Sequence, residues 1–232
     1  MRGPRPAPRC HRAHPSPRQA LVVRGGWDGH APQQATELFV PFLEDSGFTV
    51  VVSDSLDVDA DTELMAQTDL VLQSWTMGEI LGDEVHGLRA AVAWVTGLVG
   101  WHGGVVDSFR MSAAYLHLMG AQFATHPGDP VGHTMRVVPE RSDHPVIAGI
   151  EDFTLRSERY WLLTDPLLDV LATTTIEAGP DDPWDGPSTH PAIWTRRWGA
   201  GRIVVCAPGH HLADLAVPQV RTIIERRLAA RG

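Results

Sequence analysis

The sequence contains no lysine; all 19 of its basic residues are arginine. That absence excludes a Schiff-base lysine and the phosphate-binding lysine of a P-loop. It is the pattern left by GC-rich coding. Cysteine is nearly absent too. Cys10 lies near the amino end, and Cys206 sits in the apolar run Ile203-Val204-Val205-Cys206. A structural disulfide between them is not expected, which fits a reducing, cytoplasmic location. Cys206 reads as a small buried hydrophobe rather than a nucleophile. No run of 18 or more apolar residues occurs, so no membrane span is expected. No Gly-x-Gly-x-x-Gly fingerprint follows any predicted strand. Gly25-Gly26-Trp27-Asp28-Gly29 has the wrong spacing, so neither a nucleotide cofactor nor direct redox chemistry is expected.

Acids outnumber bases 28 to 19, for a formal charge of −9. Residues 1–20 hold five Arg, five Pro and no acid, so the remainder is more acidic still. An acidic body argues against nucleic acid as a partner. The basic head lacks aromatics, an amphipathic pattern and the apolar centre of a signal peptide. Residues 1–18 are therefore expected to be a disordered extension, or the product of a start codon placed too far upstream. With 43% hydrophobic residues, 19–232 is expected to form one domain.

Apolar runs alternate with helical patterns through the first half. Strands are predicted at Ala20–Val23, Phe48–Val52, Leu70–Leu72 and Gly97–Gly100. Leu38, Phe39, Phe42 and Leu43 share a helical face, although Pro41 requires that helix to kink or start late. Val85, Leu88, Val92 and Val95 mark a second helix. Ser112–Met119, closed by Gly120, marks a third. The second half is richer in strands, with candidates at Met135–Val138, Phe153–Arg156, Val170–Thr174, Ala192–Thr195 and Ile203–Cys206. Ala178–Pro191 reads as a polar loop long enough to serve as a lid. A last helix starts near Pro218, with Val220, Ile223, Ile224 and Leu228 facing inward. The expected fold is α/β, a mostly parallel flavodoxin-like sheet with helices on both faces and a strand-rich second half.

Ligands bind at the carboxyl ends of strands in such sheets. Those ends carry Trp27, Asp28 and His30; Trp75; Trp101 and His102; and His210 with His211. Gly100-Trp101-His102-Gly103-Gly104 has the spacing of a nucleophile elbow, a tight strand-to-helix turn with small residues around one exposed side chain. A histidine occupies the centre, so a thiol nucleophile is absent there. The turn aims its side chain at helix-terminal N–H groups, a favourable place for a substrate oxygen. His30, His102, His210 and Glu158 are the ligand types for Zn²⁺ or another divalent metal, although no short metal motif joins them. Without metal, the same groups can serve as general acid and base. Duller roles exist for each: a helix start for His30, a salt bridge for Glu158, a turn for His126, and core packing for Trp27, Trp75 and Trp101. His86, His117, His133, His144 and His190 read as structural or surface residues, and His211 as a solvent-facing neighbour.

Several segments together resemble the ThuA-like (trehalose utilisation) family, over about residues 19–230. They are Gly97-Leu98-Val99-Gly100-Trp101-His102; Gly120-Ala121-Gln122-Phe123 with His126-Pro127; His144-Pro145 before Gly149-Ile150; and Ser157-Glu158-Arg159-Tyr160. The closing pieces are Pro191-Ala192-Ile193-Trp194, Gly199-Ala200-Gly201-Arg202-Ile203 and Gly209-His210. The chain departs from the family at Ser157, usually an acid, at Trp101, usually aliphatic, and at Pro41. The resemblance implies a flavodoxin-like relative of class I glutamine amidotransferases that lacks their cysteine. It also implies a link to disaccharide or keto-sugar metabolism.

The leading expectation is thus an enzyme acting on a small sugar or keto-sugar by isomerisation, hydrolysis or elimination. His102, His210 and Glu158 would be catalytic, and Trp27, Asp28, Trp75, Trp101, His126 and Tyr160 would bind substrate. A separate dehydrogenase would supply any redox step in the pathway, and a homo-oligomer is compatible with the sequence. Two alternatives stand beside it: a non-catalytic sugar-binding or regulatory module, and an amidotransferase-like hydrolase using Ser74, Ser112 or Cys206.

Overall fold

The structure is a computed structural model that describes residues 18–128 and 130–230. The expectation for the amino-terminal extension, including Cys10, lies outside the described residues. The first half is built from β1 (Arg18–Gly26), α1 (Pro32–Glu37), α2 (Val40–Asp45), β2 (Phe48–Ser53), α3 (Thr62–Gln67) and β3 (Leu70–Thr76). It continues through α4 (Gly82–Trp94), β4 (Gly97–Trp101), α5 (Gly103–Val106), α6 (Ala113–Met119) and β5 (Ala121–Thr125). The second half holds β6 (Val131–Val137), β7 (Phe153–Ser157), β8 (Trp161–Thr164), β9 (Asp169–Ile176), β10 (Ser188–Trp198) and β11 (Gly201–Cys206), then α7 (Leu212–Leu215) and α8 (Pro218–Ala229).

Nine strands form one sheet in the order β2-β1-β3-β4-β11-β10-β9-β6-β7. The five from β2 to β11 are parallel. The other four join antiparallel, while β5 and β8 pair separately. The fold is α/β with a strand-rich second half, as the alternation of apolar runs predicts.

Alternation along β1 shows why the parallel strands read as unbroken apolar runs. Ala20 and Val22 face one core with Phe39, Leu43, Ile223, Ile224 and Leu228. Leu21 and Val23 face the other with Leu88, Val92, Tyr115 and Leu118. Burial on both faces removes any polar alternation. Pro41 splits the expected first helix: α1 ends at Glu37 and α2 starts afresh with the proline in its first turn, where no N–H is needed. Six-residue α3, capped by the Asp61 carboxylate on the Glu63 and Leu64 N–H groups at 3.0 Å, was too short to leave a periodic signal. The expected lid is shorter than the sequence suggests. Ser188–Pro191 belong to β10 and pair with β9, and the register shifts just after Pro191, where a missing N–H is tolerated.

Candidate active site at the mouth of the sheet

Four chain-distant side chains meet beyond the carboxyl ends of β1, β4, β7 and β11. His30 follows β1, His102 follows β4, Glu158 follows β7 and His210 follows β11. One ligand atom from each lies within 4.8 Å of the other three. The imidazole centroids are 4.8 Å (His30–His102), 5.1 Å (His30–His210) and 5.3 Å (His102–His210) apart.

His102 owes its position to the elbow. Its backbone has φ 47° and ψ −142°, a conformation that costs a non-glycine residue about 1–3 kcal/mol. The flanking glycines permit the turn. A Cβ on Gly100 would lie 2.5 Å from the Gln73 carbonyl, and one on Gly104 would lie 2.9 Å from the Ser74 Cα. The helix that follows, α5, is a single turn of four residues.

Hydrogen bonds fix the rings. His102 Nδ1 donates to the Ala207 carbonyl at 2.8 Å, which leaves the Nε2 lone pair facing the site. His30 Nδ1 lies 2.8 Å from Thr76 Oγ1, leaving its Nε2 free. His102 Nε2 and His210 Nδ1 approach Glu158 Oε2 at 3.2 and 3.4 Å. Neither nitrogen has a hydrogen-bond partner among the described residues. His126 stands farther out, half-exposed, 3.8 Å from Glu158 Oε1.

Burial would raise the Glu158 carboxyl, but the imidazoles of His102, His210 and His126 outweigh it and hold its pKa below the ordinary value. Burial and the neighbouring His102 and His210 push His30 down to about 3. Burial, with His102 and His211 adding to it, lowers His210 despite the opposing Glu158. Uncharged His30 and His210 beside an ionised carboxylate suit a divalent cation. The two orphaned buried nitrogens and the mixed nitrogen–oxygen donor set fit such an ion.

The remaining expected residues divide. Tyr160 is buried and stacks on His102, with ring centroids 4.0 Å apart. Burial and Glu158 raise its hydroxyl pKa, so it stays protonated. Trp27 is 48% exposed and meets His30 edge-on at 4.8 Å, so it forms a rim. Asp28 is exposed in the same turn. Trp75 lies over Gly25 and near Phe109, with no ring contact to the imidazoles among the described residues. Trp101 does not reach the mouth. It is 2% exposed and packs 5.1 Å from Phe39. Successive strand residues point to opposite sides, so a mouth-facing residue 102 sends residue 101 into the core. Cys206 is fully buried in the sheet, its thiol pushed by burial to about 12, and Ser112 caps α6. Neither arrangement suits a nucleophile.

Three contributors were not read from the sequence. Thr76 orients His30. Asp107, paired with Arg110 at 2.9 Å, lies near Tyr160. Asp214 Oδ2 accepts from Ser157 Oγ at 2.6 Å and from the His211 N–H at 3.1 Å. This tie joins the end of β7 to the loop after β11, so it sets Glu158 against His210.

The family profile described as trehalose utilisation, ThuA, matches residues 19–229. The chain belongs to the ThuA family. A solved ThuA-like protein from Bacteroides uniformis ATCC 8492 superimposes with a TM-score of 0.70 at 14% identity, covering 93% of this chain and 91% of that one. Another, from Parabacteroides merdae ATCC 43184, gives 0.68 at 14% identity, covering 92% and 90%. A β-galactosidase from Bacillus circulans sp. alkalophilus gives 0.55 at 11% identity, covering 89% of this chain but 30% of the enzyme. At these identities the likeness is one of fold. No curated protein matches the chain. Among the described residues, no helix is long and apolar enough to cross a membrane.

Proposed function

We propose that this ThuA-family protein is an enzyme of carbohydrate utilisation that acts on a sugar or keto-sugar at the His30–His102–His210–Glu158 cluster. One observation carries the reading: four metal-competent groups from four strand ends converge, with two buried nitrogens left without partners. A divalent ion such as Zn²⁺ would be held by these four residues, and when bound it would polarise a substrate oxygen. The Ala207 carbonyl and Thr76 hydroxyl orient His102 and His30 for that task. Tyr160, protonated and stacked on His102, supplies a flat wall and a hydroxyl donor. Trp27 offers an exposed aromatic face to a sugar ring at the rim. Glu158 and His210, the less buried members of the cluster, line the side from which substrate would approach.

The 3.2 Å approach of His102 to Glu158 supports a second reading, acid–base catalysis by that pair alone. The test is elemental analysis of purified protein, paired with a turnover screen on sugars and keto-disaccharides with and without chelator. Stoichiometric metal, lost in His102→Ala, and chelator-sensitive turnover support the first reading. Turnover that survives chelator but not Glu158→Gln supports the second. Saturable sugar binding with no product under any condition would replace both with a binding module.

A further inference from the structure

A second cavity lies at the opposite, amino-terminal end of the parallel strands. It has a volume of about 780 Å³ and is bordered by His144, Asp169, Arg196, Arg197, Arg202 and Arg227. Arg202 sits at the start of β11, and the Arg227 guanidinium lies under Gly97 at the start of β4; a Cβ there would meet Arg227 Nη2 at 1.8 Å. His102 and His210 follow the far ends of the same two strands, so this cavity is not part of the histidine cluster.

Its charges are unbalanced. Arg196 is neutralised by Asp165 at 2.6 Å, and Asp169 by Arg141 at 2.6 Å. Arg197, Arg202 and Arg227 have no carboxylate partner among the described residues. Arg227 is 3% exposed, its Nε has no partner, and Nη2 donates to the Arg202 carbonyl at 3.2 Å. Burial and the adjacent Arg202 lower its pKa to about 10, so it remains charged at neutral pH. A buried guanidinium without a counter-charge is strongly disfavoured unless an anion completes it. This deficit sits in a chain whose net charge is −9. His144 adds a donor: its Nδ1 accepts from the Val146 N–H at 3.3 Å, so a neutral ring carries its proton on Nε2.

We infer that this cavity binds a phosphate group, with Arg202 and Arg227 as its principal donors. Guanidinium is suited to phosphate because its planar fork of N–H groups matches two oxygens at once. The volume exceeds the needs of inorganic phosphate and accommodates the body of a phosphorylated small metabolite.

Titration calorimetry of the full chain at low ionic strength tests the inference, with inorganic phosphate and glucose 6-phosphate as separate probes. Saturable binding is expected, weakened about tenfold or more in Arg202→Ala, whose side chain is exposed and whose loss leaves the core intact. A tighter ester assigns the site to a phosphorylated metabolite; equal affinities assign it to free phosphate. Binding should persist in His102→Ala. Absence of saturation with both probes would overturn the inference. So would affinity unchanged in Arg202→Ala, or affinity lost in His102→Ala.

Discussion

Asp59 is 2% exposed, and one of its carboxylate oxygens has no hydrogen-bond partner. Burial, with Glu84 adding to it, raises its pKa from 3.8 to about 7. The folded protein therefore keeps a proton that the unfolded chain has released above about pH 4. Stability contributed by this group falls as pH rises from about 4 to about 7, by at most about 4 kcal/mol, and then levels off. Asp59→Asn should remove that slope, and melting temperatures across the range will show it. Ser157 is the second informative residue. Ser157→Ala leaves Asp214 Oδ2 with only the His211 N–H and should cost about 1–3 kcal/mol of stability. Because the lost bond sets Glu158 against His210, metal affinity should fall about tenfold or more, measured by chelator competition. Unchanged affinity would make the tie purely structural.

The elbow between β4 and α5 depends on contacts that tolerate no added atom. Gly100→Ala places a methyl against the Gln73 carbonyl and Val105 and should destabilise by about 1–3 kcal/mol, readable in urea unfolding. This element was legible in the sequence because its signals are adjacent: an apolar run, a histidine and two glycines. The caps of α6 were legible for the same reason, with Ser112 at one end and left-handed Gly120 at the other. The partnership of Ser157 with Asp214, 57 residues apart, left no local trace. Nor did that of His30 with Thr76, 46 residues apart. Trp101 misled because an aromatic beside a mouth-facing histidine resembles a binding wall, until the alternation of β4 turns it inward. The extent of β10 was obscured by Pro191, which normally ends a strand and here sits beside a bulge.

Across the molecule, the first half of the chain supplies His30 and His102, while the second half supplies Glu158 and His210. On the proposed metal-binding reading, adding Zn²⁺ at 100 times its dissociation constant should raise stability by about 2.7 kcal/mol if the unfolded chain does not bind it. His102→Ala should abolish that rise, which calorimetry can read. The position of β11 has a kinetic consequence. It is inserted between β4 and β10, and the bond from His102 to Ala207 closes a loop of 105 residues. Contacts of such sequence separation form late. An ion held by the four proposed ligands should therefore be captured only in the slowest refolding phase, however early the first strands assemble. In a stopped-flow experiment, loss of zinc from a chromogenic indicator would trail the burst of tryptophan fluorescence and coincide with the final step.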